Sequence, residues 1–156
     1  MKKYFVIGNP INHSLSPKLH NYWLEQNNIN AVYEKIKLEE NEIENFIHKI
    51  KNQEINGCNV TVPFKKTVIP FLDKLSLEAE QAQSVNTICF NNGDLVGHNT
   101  DIIGFQKAIN SLNYEIKDKK ILILTPRPRA VGRQTRAVNI LQRASAEASR
   151  AAVRIY

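Results

Sequence analysis

The apolar positions of this chain change period along its length, and each change marks an element. Over 3–8 a continuous run, Tyr4-Phe5-Val6-Ile7, is closed by Gly8-Asn9-Pro10, which predicts a buried strand and a turn out of it. Ser16 and Pro17 make a cap and first-turn pair, and Leu19, Tyr22, Trp23 and Gln26 continue at helical spacing, so a helix is expected over 17–27. Residues 31–38 alternate as a second strand, and 40–51 place Ile43, Phe46, Ile47 and Ile50 on one face of an amphipathic helix. In a third strand, 56–62, Cys58, Val60 and Val62 alternate with Asn59 and Thr61. Pro63 stops it and is suited to open a helix, with Phe64, Val68, Ile69 and Leu72 as its buried face. A short helix over 75–83 is opened by Ser76, and two apolar-rich runs, 84–91 and 94–98, flank Asn92-Gly93 as a hairpin. Asp101 can cap a helix running to about 112, and 120–124 reads as one more apolar strand.

Strands alternating with helices predict an α/β fold: a twisted, mainly parallel sheet with helices on both faces. In such sheets ligands bind beyond the carboxyl ends of the strands. That directs attention to polar residues just past each strand. Lys65 falls there, in what the pattern makes the first turn of a helix, where a cation opposes the macrodipole and is suited to giving up a proton. The plain alternative is a solvated lysine beside Lys66. Ser14 and Ser16, after the first strand, offer two hydroxyls beside a helix N-terminus, an arrangement that suits an anion. Capping alone would explain Ser16; it does not explain Ser14. Asn86 and Thr87 lie in a buried-looking run, where polar side chains are commonly satisfied core groups. Asp101 sits after the last strand of the hairpin, with capping as its ordinary role.

The 156 residues allow one ordinary domain, and 42% apolar residues fit a globular protein. The first apolar run is too short for a signal peptide or a membrane span, so a cytoplasmic protein without membrane partners is expected. Cys58 and Cys89 are far apart with no nearby histidine pair, and His13 and His98 have no partners at ligand spacing; neither a metal site nor a disulfide framework is indicated. The net charge of +6 hints at nucleic acid, but its placement argues against it. Through residue 120 the chain has 14 lysines, no arginine and 14 acids; 121–156 has seven arginines and one acid. The surplus belongs to the tail, and no nucleic-acid partner is expected. Without arginine in the first 120 residues, a carboxylate ligand there must be held by hydroxyls, lysine and backbone N–H groups.

Four fragments, taken together, resemble the substrate domain of shikimate dehydrogenases. They are Gly8-Asn9-Pro10-Ile11-Asn12-His13-Ser14-Leu15-Ser16-Pro17, Asn59-Val60-Thr61-Val62-Pro63-Phe64-Lys65, Val85-Asn86-Thr87, and Gly97-His98-Asn99-Thr100-Asp101, in that order. The resemblance covers about residues 1–124. It implies NADP-dependent reduction of 3-dehydroshikimate to shikimate, on the route to chorismate and the aromatic amino acids. It also implies that Ser14 and Ser16 bind the substrate carboxylate, that Thr61, Asn86 and Asp101 bind ring hydroxyls, and that Lys65 is the acid/base, paired with Asp101. An ammonium at hydrogen-bond distance can protonate the oxygen that becomes basic as hydride reaches the carbonyl carbon.

The resemblance divides the chain into a substrate-binding and catalytic domain, 1–112, the first strand of a nucleotide-binding domain, 113–124, and an atypical tail, 125–156. Such a strand should lead into a glycine-rich turn that seats the cofactor pyrophosphate. Here Thr125-Pro126-Arg127-Pro128 follows instead, and the two prolines remove N–H donors. Residues 137–155, rich in Ala, Arg and Ser, predict a basic helix with little apolar surface to dock, so it should fray. The change from lysine to arginine marks 125–156 as an out-of-frame or vector-derived ending on a shortened enzyme of low activity. The rivals are a quinate/shikimate dehydrogenase and a shikimate-binding module without catalysis. The sequence sets no oligomeric state.

Overall fold

The apolar run of the first strand is buried on both faces because it lies inside a sheet. In the computed structural model, which describes residues 1–112, 121–124 and 152–155, Phe5 and Ile7 point into one core and Val6 into another. The chain forms two compact units, Met1–Asn99 and Thr100–Tyr156.

The first unit is a six-stranded sheet with the order β2-β1-β3-β5-β6-β4. Its strands are β1 (Lys2–Gly8), β2 (Ala31–Lys37), β3 (Gly57–Val60), β4 (Lys74–Leu75), β5 (Thr87–Asn91) and β6 (Asp94–His98). β1 pairs in parallel with β2 and β3, and β4 in parallel with β6, whereas β5 runs antiparallel to both β3 and β6. Five strands therefore share one direction and only β5 opposes them, which is the mainly parallel sheet the pattern predicts. Asn92 and Gly93 both take positive φ, 51° and 90°, as the primed turn of the β5–β6 hairpin requires.

Helices cover both faces. On one face α2 (Ile43–Lys51) buries Ile43, Phe46, Ile47 and Ile50, and Phe46 meets Phe5 edge to face with ring centroids 6.0 Å apart. α3 (Leu77–Ala82) adds Ala79 to the same core, and Ser76 caps it by accepting the Ala79 N–H at 3.3 Å. On the other face α1 (Ser16–Gln26) sets Leu24 against Val6, Ile11 and Tyr33.

Three expectations are corrected. No α-helix follows Pro63: residues 62–68 form successive turns, and Ile69–Phe71 is a single 3₁₀ turn. Phe64 and Val68 are buried as expected, but Thr67-Val68-Ile69 is a β-branched run and Pro70 cannot donate a helical bond, so the turns do not propagate. Ser16 is not the cap of α1. Leu15 already has helical backbone angles and occupies that position, with no side chain closing it. Likewise Thr100, not Asp101, precedes α4 (Asp101–Ser111), so Asp101 is its first residue, an acid favourably placed for the dipole.

In the second unit β7 (Ile121–Leu124) pairs antiparallel with β8 (Ala152–Ile155), with Ile123 opposite Val153 and Ile121 opposite Ile155. The expected basic helix therefore does not extend over 152–155; β-branched Val153 and Ile155 at alternate positions favour a strand. The rest of that expectation, and the turn after 124, lie outside the described residues. No helix among the described residues is long and apolar enough to cross a membrane.

Candidate active site

Chain direction sets which loops gather at one edge. The carboxyl ends of β1, β3 and β6 and the start of the opposed β5 lie on the same edge, so the segments holding Ser14, Thr61, Lys65 and Asn86 all leave from there. The first two segments are clamped by backbone bonds: Thr61 N–H donates to Ile7 carbonyl at 3.0 Å, and Asn9 N–H donates to Val62 carbonyl at 3.1 Å. Gly8 makes this closeness possible. A Cβ there would lie 2.6 Å from Thr61 Cγ2 and 3.1 Å from the Val62 carbonyl oxygen.

The next segment is held as firmly. Val85 N–H donates to Lys65 carbonyl at 2.8 Å, Val60 N–H to Asn86 carbonyl at 2.8 Å, and Asn86 N–H to His98 carbonyl at 2.9 Å. Phe64 and Val68 anchor the turns in the core, with Lys65 half-buried between them and Lys66 exposed. The two adjacent lysines thus differ in environment. Thr61 is also half-buried.

Ser14 and Ser16 are both half-buried, on either side of the exposed Leu15. Ser14 Oγ accepts the Ser16 N–H at 3.3 Å, a local turn that fixes the oxygen and leaves its proton to donate. Asn86, 8% exposed, is the most enclosed of the candidates. Its Oδ1 accepts the Thr87 hydroxyl at 3.1 Å, and Thr87 in turn accepts from Asn59 Nδ2 at 3.0 Å. Asn59 and Thr87 lie opposite each other across β3 and β5, a pairing that periodicity does not reveal. Asp101, half-buried at the start of α4, belongs to the second unit.

A cleft of about 400 Å³ opens elsewhere, between α1 and the sheet, lined by Tyr4, His20, Trp23 and Tyr33 among others. His20 stacks on Tyr33 with ring centroids 4.1 Å apart, and burial lowers its pKa. None of Ser14, Thr61, Lys65 or Asn86 lines this cleft, so its size does not make it the site. Cys58 and Cys89 are free thiols whose pKa values burial raises. Among the described residues no group of three or more histidine, cysteine or acidic side chains is placed to hold a metal ion.

Residues 6–88 match the family described as the shikimate dehydrogenase substrate binding domain. The chain belongs to that family. A shikimate dehydrogenase (NADP(+)) of Pelagibacter ubique is 57% identical over 125 residues, covering 80% of this chain and 47% of the relative. A crystal structure of shikimate dehydrogenase from Aquifex aeolicus superposes with a TM-score of 0.71 at 41% identity, covering 76% of this chain and 45% of that one. Another, the Thermus thermophilus shikimate 5-dehydrogenase in complex with NADP(H) and shikimate, has a TM-score of 0.69 at 32% identity, covering 75% and 44%. The chain thus spans about half the length of the curated relatives it matches. In this shikimate dehydrogenase substrate-binding domain Lys65 sits on a turn anchored by buried Phe64 and Val68, not in a helix.

Proposed function

We propose that residues 1–112 are the substrate half of an NADP-dependent shikimate dehydrogenase, reducing 3-dehydroshikimate to shikimate in the cytoplasm. The observation that carries the reading is the half-buried Lys65, pinned through its carbonyl to Val85 one residue before Asn86. In this proposal the Ser14 and Ser16 hydroxyls donate to the substrate carboxylate, and Thr61 and Asn86 engage ring hydroxyls. The Lys65 ammonium donates a proton to the carbonyl oxygen as hydride arrives at carbon.

The hydride belongs to the cofactor, and this chain's residues do not fit its seat. After Ile121–Leu124 the sequence continues with Pro126 and Pro128, which have no backbone N–H to donate to a pyrophosphate. That mismatch favours a second reading, a shikimate-binding module without turnover. Quinate oxidation would identify the third, a quinate/shikimate dehydrogenase.

Calorimetry tests the shared core of these readings. Shikimate should bind one to one, and Ser14→Ala should weaken binding roughly 10-fold or more, as expected for loss of a hydrogen bond to a charged group. Equal affinity in the variant would remove Ser14 from the site.

A further inference from the structure

α1 is apolar on two sides, and the sheet uses only one of them. Toward the sheet, Leu24 packs with Val6, Ile11 and Tyr33, and His20 stacks on Tyr33. Asn21 Oδ1 accepts the Tyr33 N–H at 2.9 Å, and Asn21 Nδ2 donates to the Tyr33 carbonyl at 2.8 Å. Away from the sheet lie Leu15, at the helical cap position, Leu19 and Tyr22, which are 76%, 47% and 57% exposed. Their spacing of four and three residues sets them in one stripe, and at about 100° per residue that stripe points opposite to Leu24. No residue of α1 is buried, so packing on the sheet does not account for this second apolar side. Three neighbouring apolar side chains turned to water are what a contact surface requires.

The charges beside the stripe say what fits it. Lys18 and Glu25 flank it on one side, seven residues apart, and both are exposed. Neither makes an ion pair among the described residues. When two copies of a helix pack antiparallel about a two-fold axis that crosses them, each flank meets the same flank of its copy with the direction reversed. The midpoint between Lys18 and Glu25 falls between Asn21 and Tyr22. With the axis there, Lys18 of one copy stands beside Glu25 of the other, and Leu19 of each copy lies against the Tyr22 ring of the other. In a parallel pair the charged flank would meet the opposite flank, where Trp23 lies, and neither charge would gain a partner.

We propose that α1 is a self-association surface through which two copies of this chain form an antiparallel, two-fold dimer, with Leu15, Leu19 and Tyr22 at its centre and two Lys18–Glu25 pairs at its rim. The 11 residues of α1 span about 16 Å. A contact of that length covers less than the ~800 Å² per partner of a standard interface, so the dimer is weak and depends on protein concentration. The rim pairs set its register and make it sensitive to salt.

Sedimentation velocity of the full chain tests this. From about 1 to 300 μM, a range that spans weak interfaces, the average mass should rise from that of the monomer toward twice that value and no further. Leu19→Glu puts a charge in the stripe at an exposed position and should leave a monomer throughout, with an unchanged far-UV circular dichroism spectrum. Lys18→Glu and Glu25→Lys each set like charges face to face and should raise the dissociation constant roughly 2- to 30-fold. Both changes suit the helix dipole, an acid in the first turn and a base in the last, so α1 itself should hold. The double variant restores opposite charges and should return to within about 2-fold of wild type. A chain monomeric across the range, association that Leu19→Glu leaves intact, or a double variant no tighter than the single ones would each overturn the proposal. The first of these would assign the stripe to another occupant, such as the half of the relatives that this chain does not match.

Discussion

Lys65→Met is expected to lower the rate of 3-dehydroshikimate reduction about 100-fold or more, the loss typical of a removed general acid. The assay joins residues 1–112 to the unmatched remainder of the 57% identical relative, a shikimate dehydrogenase (NADP(+)). Methionine keeps the length of the side chain and removes the proton donor. Because the turn is held by Phe64, Val68 and the bond from Val85 N–H to the Lys65 carbonyl, it should survive the change. Shikimate affinity should then move only a few-fold, so the effect falls on turnover. Lys66→Met, one residue on and exposed, should leave both quantities near wild type. Equal losses at the two positions would mean that charge alone matters and that Lys65 is not the acid.

Phe64→Ala should produce the largest loss of stability among the site segments, about 3–5 kcal/mol. Phe64 is 2% exposed and packs in the core with α2, and its N–H closes the first turn onto the Thr61 carbonyl at 3.0 Å. Truncation leaves a cavity and frees the backbone on which Lys65 sits. Against a total stability of about 5–15 kcal/mol this is a large fraction, and it should appear as a lower denaturant midpoint. Val62→Ala is the control: Val62 is 44% exposed, and its loss should cost less than about 1 kcal/mol. Near-equal midpoints for the two variants would show that the turn is not anchored by its aromatic residue.

The two variants also mark where the sequence was legible. A continuous apolar run located β1, period-two alternation located β2 and β3, the spacing of Ile43, Phe46, Ile47 and Ile50 located α2, and Asn92-Gly93 located the hairpin with the positive φ its turn requires. Four short motifs in order carried the family. The turns after Pro63 were misread because Phe64 and Val68 keep helical spacing in a single i to i+4 bond, Val68 N–H to Phe64 carbonyl at 3.1 Å, without a helix. Spacing reports which residues are buried, and two buried residues four apart do not fix what lies between. β4, only Lys74–Leu75, is too short to show any period. The polar chain through Asn59 was hidden for another reason: it depends on the register that sets Asn59 opposite Thr87, a property of two strands at once. In β8, arginine and alanine content suggested helix, while the alternate Val153 and Ile155 were the better guide.

The most direct test of the account is to map shikimate onto the chain by NMR, following backbone amide signals during titration. The largest shifts should cluster at Ser14, Ser16, Thr61, Lys65 and Asn86. Shifts confined to the cleft beside α1, or no saturable shift in a folded sample, would contradict it.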